Sequence, residues 1–203
     1  MRWVIVAILI LACGGFVALG GYAGFEFWRV GNVSTEMEAE RLAPPPPVEA
    51  PPTPPECEAG LAAFGAKDYE GTTSLLEVCL DAVPDHAEAR LARGRANAAL
   101  GRYERADLDL SRGLALRPDV VEGWEALVYA RSQNGDDRGA VTAADRWLAV
   151  QPGAARAIRM RADARYRMGE LAEARDDAAR ACALGDADAC ELEKRMKAAR
   201  KSQ

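Results

Sequence analysis

Few side chains in this sequence are of a type and spacing that could do chemistry. There is one histidine, His86. A single imidazole excludes a His-rich metal site and any triad that needs a second, orienting histidine. It follows Pro84 and reads as an exposed turn residue. The acidic pairs Asp136-Asp137 and Asp176-Asp177 read as solvated charge at a turn and on a helix surface, not as an acid–base pair held in a pocket. No phosphate-binding glycine loop and no nucleophile elbow occur. The five cysteines are Cys13, Cys57, Cys79, Cys182 and Cys190, and no two form a Cys-x-x-Cys pair. No metal, no cofactor and no enzymatic activity are expected. Cys13 lies in an apolar stretch, which leaves an even number of thiols for disulfides. Spacing alone does not choose among their pairings, and small buried thiols also sit where Ala or Leu would.

The elements that must position these residues follow from proline and charge. The chain has 203 residues, 49% hydrophobic, 28% charged and only 6% aromatic, with a net charge of -5. That balance is globular, permits one domain with an appendage, and argues against a nucleic-acid partner held by bulk electrostatics. Residues 3–25 carry no charge, and 23 residues of helix reach about 35 Å, enough for a hydrocarbon core of about 30 Å. Trp3 stands at one end, and Tyr22, Phe27 and Trp28 at the other, like interfacial belts. A retained signal anchor over residues 1–28 is the reading carried forward. A cleavable signal peptide is the first alternative, although Gly21-Tyr22-Ala23 makes a poor cleavage site. A lipoprotein anchored through Cys13 is the second, because Ile10-Leu11-Ala12-Cys13-Gly14 resembles a lipobox. Arg2 before the span and the acidic residues after it put the N-terminus in the cytoplasm and the rest outside. The expected place is a bacterial inner membrane, crossed once, with the C-terminal part in the periplasm. Gly20 and Gly24 give the small-residue spacing that allows a homodimer in lipid.

Of 11 prolines, eight fall between Pro44 and Pro55. Residues 29–55 therefore form a proline-rich linker, a semi-rigid polyproline II spacer of about 37 Å over its last 12 residues. The remaining prolines, Pro84, Pro118 and Pro152, are spaced by 34 and 34. On that period Lys67, Gly101, Gly135 and Gly169 align, as do Thr72, Ala106, Ala140 and Ala174, and Leu80, Leu114, Leu148 and Cys182. Each unit reads as helix, turn, helix: Gly ends the first helix and Pro stops the second. One such hairpin cannot bury its apolar face alone, so neighbours stack. Leu110, Leu114, Leu116, Trp147, Leu148 and Val150 are expected to fill the layers. The fold class is all-α, an α-solenoid of about four hairpins over residues 56–188. A capping helix and tail follow over residues 189–203.

The pattern resembles the tetratricopeptide repeat family. Trp124, Leu127, Gly94, Tyr103, Ala106, Ala140, Pro118 and Pro152 stand at that family's characteristic positions. The first unit departs, with Lys67 for Gly and Thr72 for Ala, and the fourth has Asp186 for Pro. Within an antiparallel hairpin centred near Lys67, Cys57 and Cys79 face each other. The spacing of Cys182 and Cys190 resembles the bridged helical pairs of Sel1-like repeats. Two staples at the two ends of the solenoid are therefore expected, which agrees with export to an oxidising compartment.

The resemblance implies a concave groove, lined by first helices, that takes a peptide or protein segment. Carried over, the lining is Glu88, Leu91 and Arg95; Glu122, Glu125, Tyr129, Ser132 and Gln133; and Arg156, Arg159, Asp163, Tyr166 and Arg167. The last set is basic and suits a carboxylate-bearing partner. The function expected is a membrane-anchored scaffold for protein–protein interaction in cell-envelope assembly. A self-associating structural membrane protein is the alternative.

Overall fold

A computed structural model describes residues 53–201, with side chains through residue 198. The span expected at residues 3–25, Cys13, the Gly20–Gly24 pair and most of the proline linker lie outside the described residues. Among the described residues there are nine helices and no strand. They are α1 (Pro55–Gly65), α2 (Tyr69–Ala82), α3 (Ala87–Ala99), α4 (Tyr103–Leu116), α5 (Val121–Gln133), α6 (Asp137–Val150), α7 (Ala155–Arg167), α8 (Leu171–Ala183) and α9 (Ala187–Lys201). None of these is long and apolar enough to cross a membrane.

Two kinds of turn set the register, and both follow from backbone sterics. Within each hairpin the chain passes through the left-handed region at Lys67 (φ 61°), Gly101 (74°), Gly135 (80°) and Gly169 (82°). The amide three places past the helix then donates back to the carbonyl five residues earlier. Asp68 donates to Ala63, Arg102 to Asn97, Asp136 to Arg131, and Glu170 to Arg165. This is a Schellman closure, which glycine enters freely and Lys67 enters at a cost of about 1 kcal/mol. Between hairpins, the proline ring excludes the α region for the residue before it. Val83, Arg117 and Gln151 accordingly share nearly one conformation, with φ -129°, -132° and -135°. The next helix is tied to that turn by an equivalent side chain: Arg90 Nε donates to Pro84 O at 2.7 Å, and Trp124 Nε1 to Pro118 O at 2.8 Å. His86 is not a free turn residue: it N-caps α3, its Nδ1 accepting from the Ala89 amide at 3.2 Å.

The core is built by columns of complementary size. Thr72, Ala106, Ala140 and Ala174 are all fully buried. Gly60 faces Leu76 and Gly94 faces Leu110, so closely that a Cβ on Gly94 would lie 2.7 Å from Leu110 Cγ. Of the later pairs, Val128 on the first helix with Ala144 on the second inverts the sizes, and Ala162 with Ala178 makes them equal, all buried. Two expected layer-fillers do not fill layers. Leu116 (45% exposed) and Val150 (44%) are the last residues of α4 and α6 and remain exposed.

Both disulfides form, each within one end of the stack. Cys57–Cys79 joins α1 to α2 with Cα atoms 4.9 Å apart, and Cys182–Cys190 joins α8 to α9 at 4.7 Å. The fourth hairpin closes differently from the others. Gly185 (φ 93°) replaces the proline turn, and Asp186 caps α9 through the Ala189 amide at 2.9 Å. Leu192 and Met196 of α9 then cover Ala162, Ala174 and Ala178.

Candidate protein-binding groove

Four first helices leave a cleft of about 580 Å³ on one face of the stack. Arg95, Ala98 and Ala99 come from α3, Glu122 to Gln133 from α5, and Arg156, Arg159, Met160, Asp163 and Arg167 from α7. Phe64, Tyr69 and Tyr103 border it from the hairpin turns. Of the expected lining, Arg95, Glu122, Glu125, Tyr129, Ser132, Gln133, Arg156, Arg159, Asp163 and Arg167 come together there. Glu88, Leu91 and Tyr166 do not. Leu91 is 5% exposed and packs against Gly113 and Gly123 in the core. Tyr166 is 42% exposed but sits one residue, about 100° of helix turn, off the face that carries Arg167.

The α7 end is not the open basic face that its sequence implies. Arg156 pairs with Glu125 at 2.7 Å. Arg159 pairs with Asp186 at 3.1 Å, Asp163 at 3.6 Å and Asp188 at 3.9 Å, so it braces the turn into α9. Arg167 donates to Asp137 at 2.7 Å and to Ser132 Oγ at 2.9 Å. Burial raises the Asp163 carboxyl above its ordinary value, and the charges of Arg159 and Arg167 oppose that rise. Asp137 is thereby a groove-side partner rather than solvated charge.

The other end is aromatic. Tyr103 and Tyr129 meet edge to face at 6.1 Å, and Phe64 and Tyr69 lie 6.2 Å apart. A hydrogen bond with Tyr129 holds the Tyr103 hydroxyl above its ordinary pKa. The Arg95 guanidinium lies 4.9 Å over the Phe64 ring and, among the described residues, has no carboxylate partner. Sequence reasoning missed Phe64, Tyr69 and Tyr103 as lining residues. A signal was available, because Tyr69 and Tyr103 are 34 residues apart and open equivalent helices.

The remaining charge clusters are structural. Asp177, expected as solvated charge, is buried and accepts from Arg161 at 2.8 and 2.6 Å and from Arg165 at 2.6 Å. That pairing raises the Arg161 guanidinium pKa further still. Two hairpins earlier Arg93 and Asp109 form the same fork at 2.8 Å. Among the described residues no group of three or more His, Cys, Asp or Glu could hold a metal ion.

This arrangement of hairpins is known. The chain is similar in fold to MamA. A crystal structure of MamA protein superposes with a TM-score of 0.64 at 20% identity, over 72% of this chain and 83% of that one. A second MamA, AMB-1, gives 0.61 at 21% identity over 65% and 72%. MamA 41-end from Desulfovibrio magneticus RS-1 gives 0.59 at 17% identity over 64% and 73%. No family model and no curated protein matches the chain. Likeness at this identity shows the fold, a helical-repeat solenoid of tetratricopeptide type.

Proposed function

We propose that this chain is a non-catalytic scaffold that holds a segment of another protein in the cleft between α1 and α7. The observation that carries this reading is the aromatic end of the cleft. Aromatic rings and arginine are the residue types that concentrate binding energy at interfaces; here Tyr129 is 44% exposed, the other three rings are half-buried, and the Arg95 guanidinium beside them has no carboxylate partner among the described residues. The paired arginines at the α7 end make that wall rigid rather than sticky. The membrane part of the reading rests on sequence: residues 3–25 anchor the chain in a bacterial inner membrane, N-terminus in the cytoplasm and repeat domain in the periplasm. Two disulfides in the repeat domain support an oxidising compartment.

The binding part is tested by capturing envelope proteins with the full chain and with Tyr129→Ala. Capture through the cleft falls at least about tenfold on loss of a central aromatic, while the circular dichroism spectrum is unchanged. Equal capture by both forms refutes it. Topology is tested by acid-trapping cells and alkylating free thiols. Protection of Cys57, Cys79, Cys182 and Cys190 until reduction supports export, and alkylation of all four without reduction refutes it. Self-association through the span is the second reading, favoured by Gly20 and Gly24. Crosslinking that is lost in Gly20→Leu with Gly24→Leu supports it. A mass gain of lipid on Cys13 would replace the span by a lipid anchor.

A further inference from the structure

We propose that the α1–α5 half of the cleft takes an extended, proline-rich segment with a carboxylate near its middle. The inference rests on the scaffold reading and names the chemistry of the partner. Phe64, Tyr69, Tyr103 and Tyr129 give this half four rings, with Arg95 among them. Flat rings pack against pyrrolidine faces, and aromatic-lined grooves are the usual receptors of polyproline II ligands. The donors beside the rings are the Tyr hydroxyls and the Arg95 guanidinium, with Ser132 and Gln133 further along α5; the carboxylates of this half are Glu122 and Glu125, the latter held by Arg156. Proline presents a carbonyl and no N–H, and a polyproline II backbone bonds nothing internally, so its carbonyls need donors from outside. An amphipathic helix satisfies its own backbone and would leave those donors facing bonded carbonyls.

The geometry agrees. Tyr69 and Tyr103 open the second helices of successive hairpins. The first helices α3 and α5, which carry Arg95 and Tyr129, pack against each other, and packed helices stand about 8–10 Å apart, close to the about 9 Å of one polyproline II turn. Successive turns of such a segment therefore meet successive hairpins. Arg95 supplies the charge preference, since it is the lining arginine that no carboxylate of the described residues engages. The α7 half lacks these features, because its arginines are spent on Glu125, Asp137, Asp163 and Asp186.

The probe is a fluorescent peptide with the sequence of residues 43–55, whose eight prolines surround one charge, Glu49. It is titrated by anisotropy into the full chain in detergent, and into the full chain with residues 44–54 replaced by Gly-Ser. Saturable binding to both forms supports the proposal. Binding only to the replaced form shows the cleft filled by this chain's own linker and overturns the proposal of a partner segment. A peptide with Ala for Pro is expected to bind at least about tenfold more weakly, as is a peptide with Lys for Glu49. These two arms leave the protein unaltered, so its folding is not in question. Arg95→Glu is expected to reverse the preference, binding the Lys peptide better than the Glu peptide. No saturable binding to either form overturns the proposal, and so does equal binding of the alanine peptide. If the peptide fails while Tyr129→Ala still abolishes capture of a partner, the scaffold reading stands and only the proline chemistry falls.

Discussion

Replacing Gly94 tests the size-complementary core in a way that a simple truncation cannot. A Cβ at position 94 would lie 2.7 Å from Leu110 Cγ and 3.1 Å from the Leu110 amide nitrogen. Carbon atoms prefer about 3.5–4.0 Å, so α3 and α4 must part or Leu110 must leave its rotamer. Overpacking of this kind costs about 1–3 kcal/mol, and Gly→Ala in a helix returns about 1 kcal/mol, for a net loss of about 1 kcal/mol. Leu110→Ala alone empties a fully buried site and costs about 3 kcal/mol. Independent effects would sum to about 4 kcal/mol. The double variant instead reproduces the Ala162 and Ala178 arrangement two hairpins later. The clash disappears and the new methyl fills part of the cavity, so about 2 kcal/mol is expected, a coupling of about 2 kcal/mol. Urea unfolding of the four proteins, followed by circular dichroism and by Trp124 and Trp147 fluorescence, measures it. Additivity within about 0.5 kcal/mol would refute the facing-column account, as would a stabilising Gly94→Ala.

Three further outcomes follow from particular residues. Lys67→Gly removes a left-handed Lys and should raise the melting temperature by about 2–4 °C, whereas Gly101→Ala should lower it by a similar amount. Replacing Cys57 and Cys79 by Ser opens a loop with a sequence separation of 22 and should cost about 3 kcal/mol; the Cys182 and Cys190 pair, separated by 8, should cost about 2.5 kcal/mol. Reductant should lower the melting point of the native protein but not of a protein lacking all four. Asp163 has its folded pKa raised by burial, so folding favours its protonated form. Its destabilising contribution is absent below the unfolded carboxyl range and grows as pH rises through the folded value. Asp163→Asn should therefore be the more stable protein at neutral pH, with the difference vanishing on acidification; a difference independent of pH would contradict the burial argument.

The hairpins were legible because their punctuation is steric. A proline excludes helix at Val83, Arg117 and Gln151, and a left-handed residue is required at positions 67, 101, 135 and 169; both demands recur every 34 residues. The change at Asp186 was visible for the same reason, as a missing proline. The disulfides were legible once two cysteines could be placed on each helix pair. The groove was legible only in part. Helix periodicity places Arg156, Arg159 and Arg167 on one face, but it cannot show that Glu125, Asp186 and Asp137 come from other helices to meet them. The same blindness made Asp177 look solvated, since its partners Arg161 and Arg165 lie on the preceding helix. Leu91 was misplaced because a position that faces the groove in one repeat can turn inward where Gly113 and Gly123 leave room. Phe64, Tyr69 and Tyr103 were missed because they lie at turns, away from the first-helix face used to count the lining.

The central claim is that partners are held in the cleft, and site-specific photocrosslinking tests it most directly. A photoreactive amino acid is placed in the full chain at Ala126, inside the cleft, and in a second protein at Val78, which is 51% exposed and outside it. After irradiation of growing cells, a discrete protein adduct from position 126, absent from position 78 and lost when Tyr129 is also changed to Ala, is the result the account predicts. Adducts from position 78 with none from position 126 would contradict it.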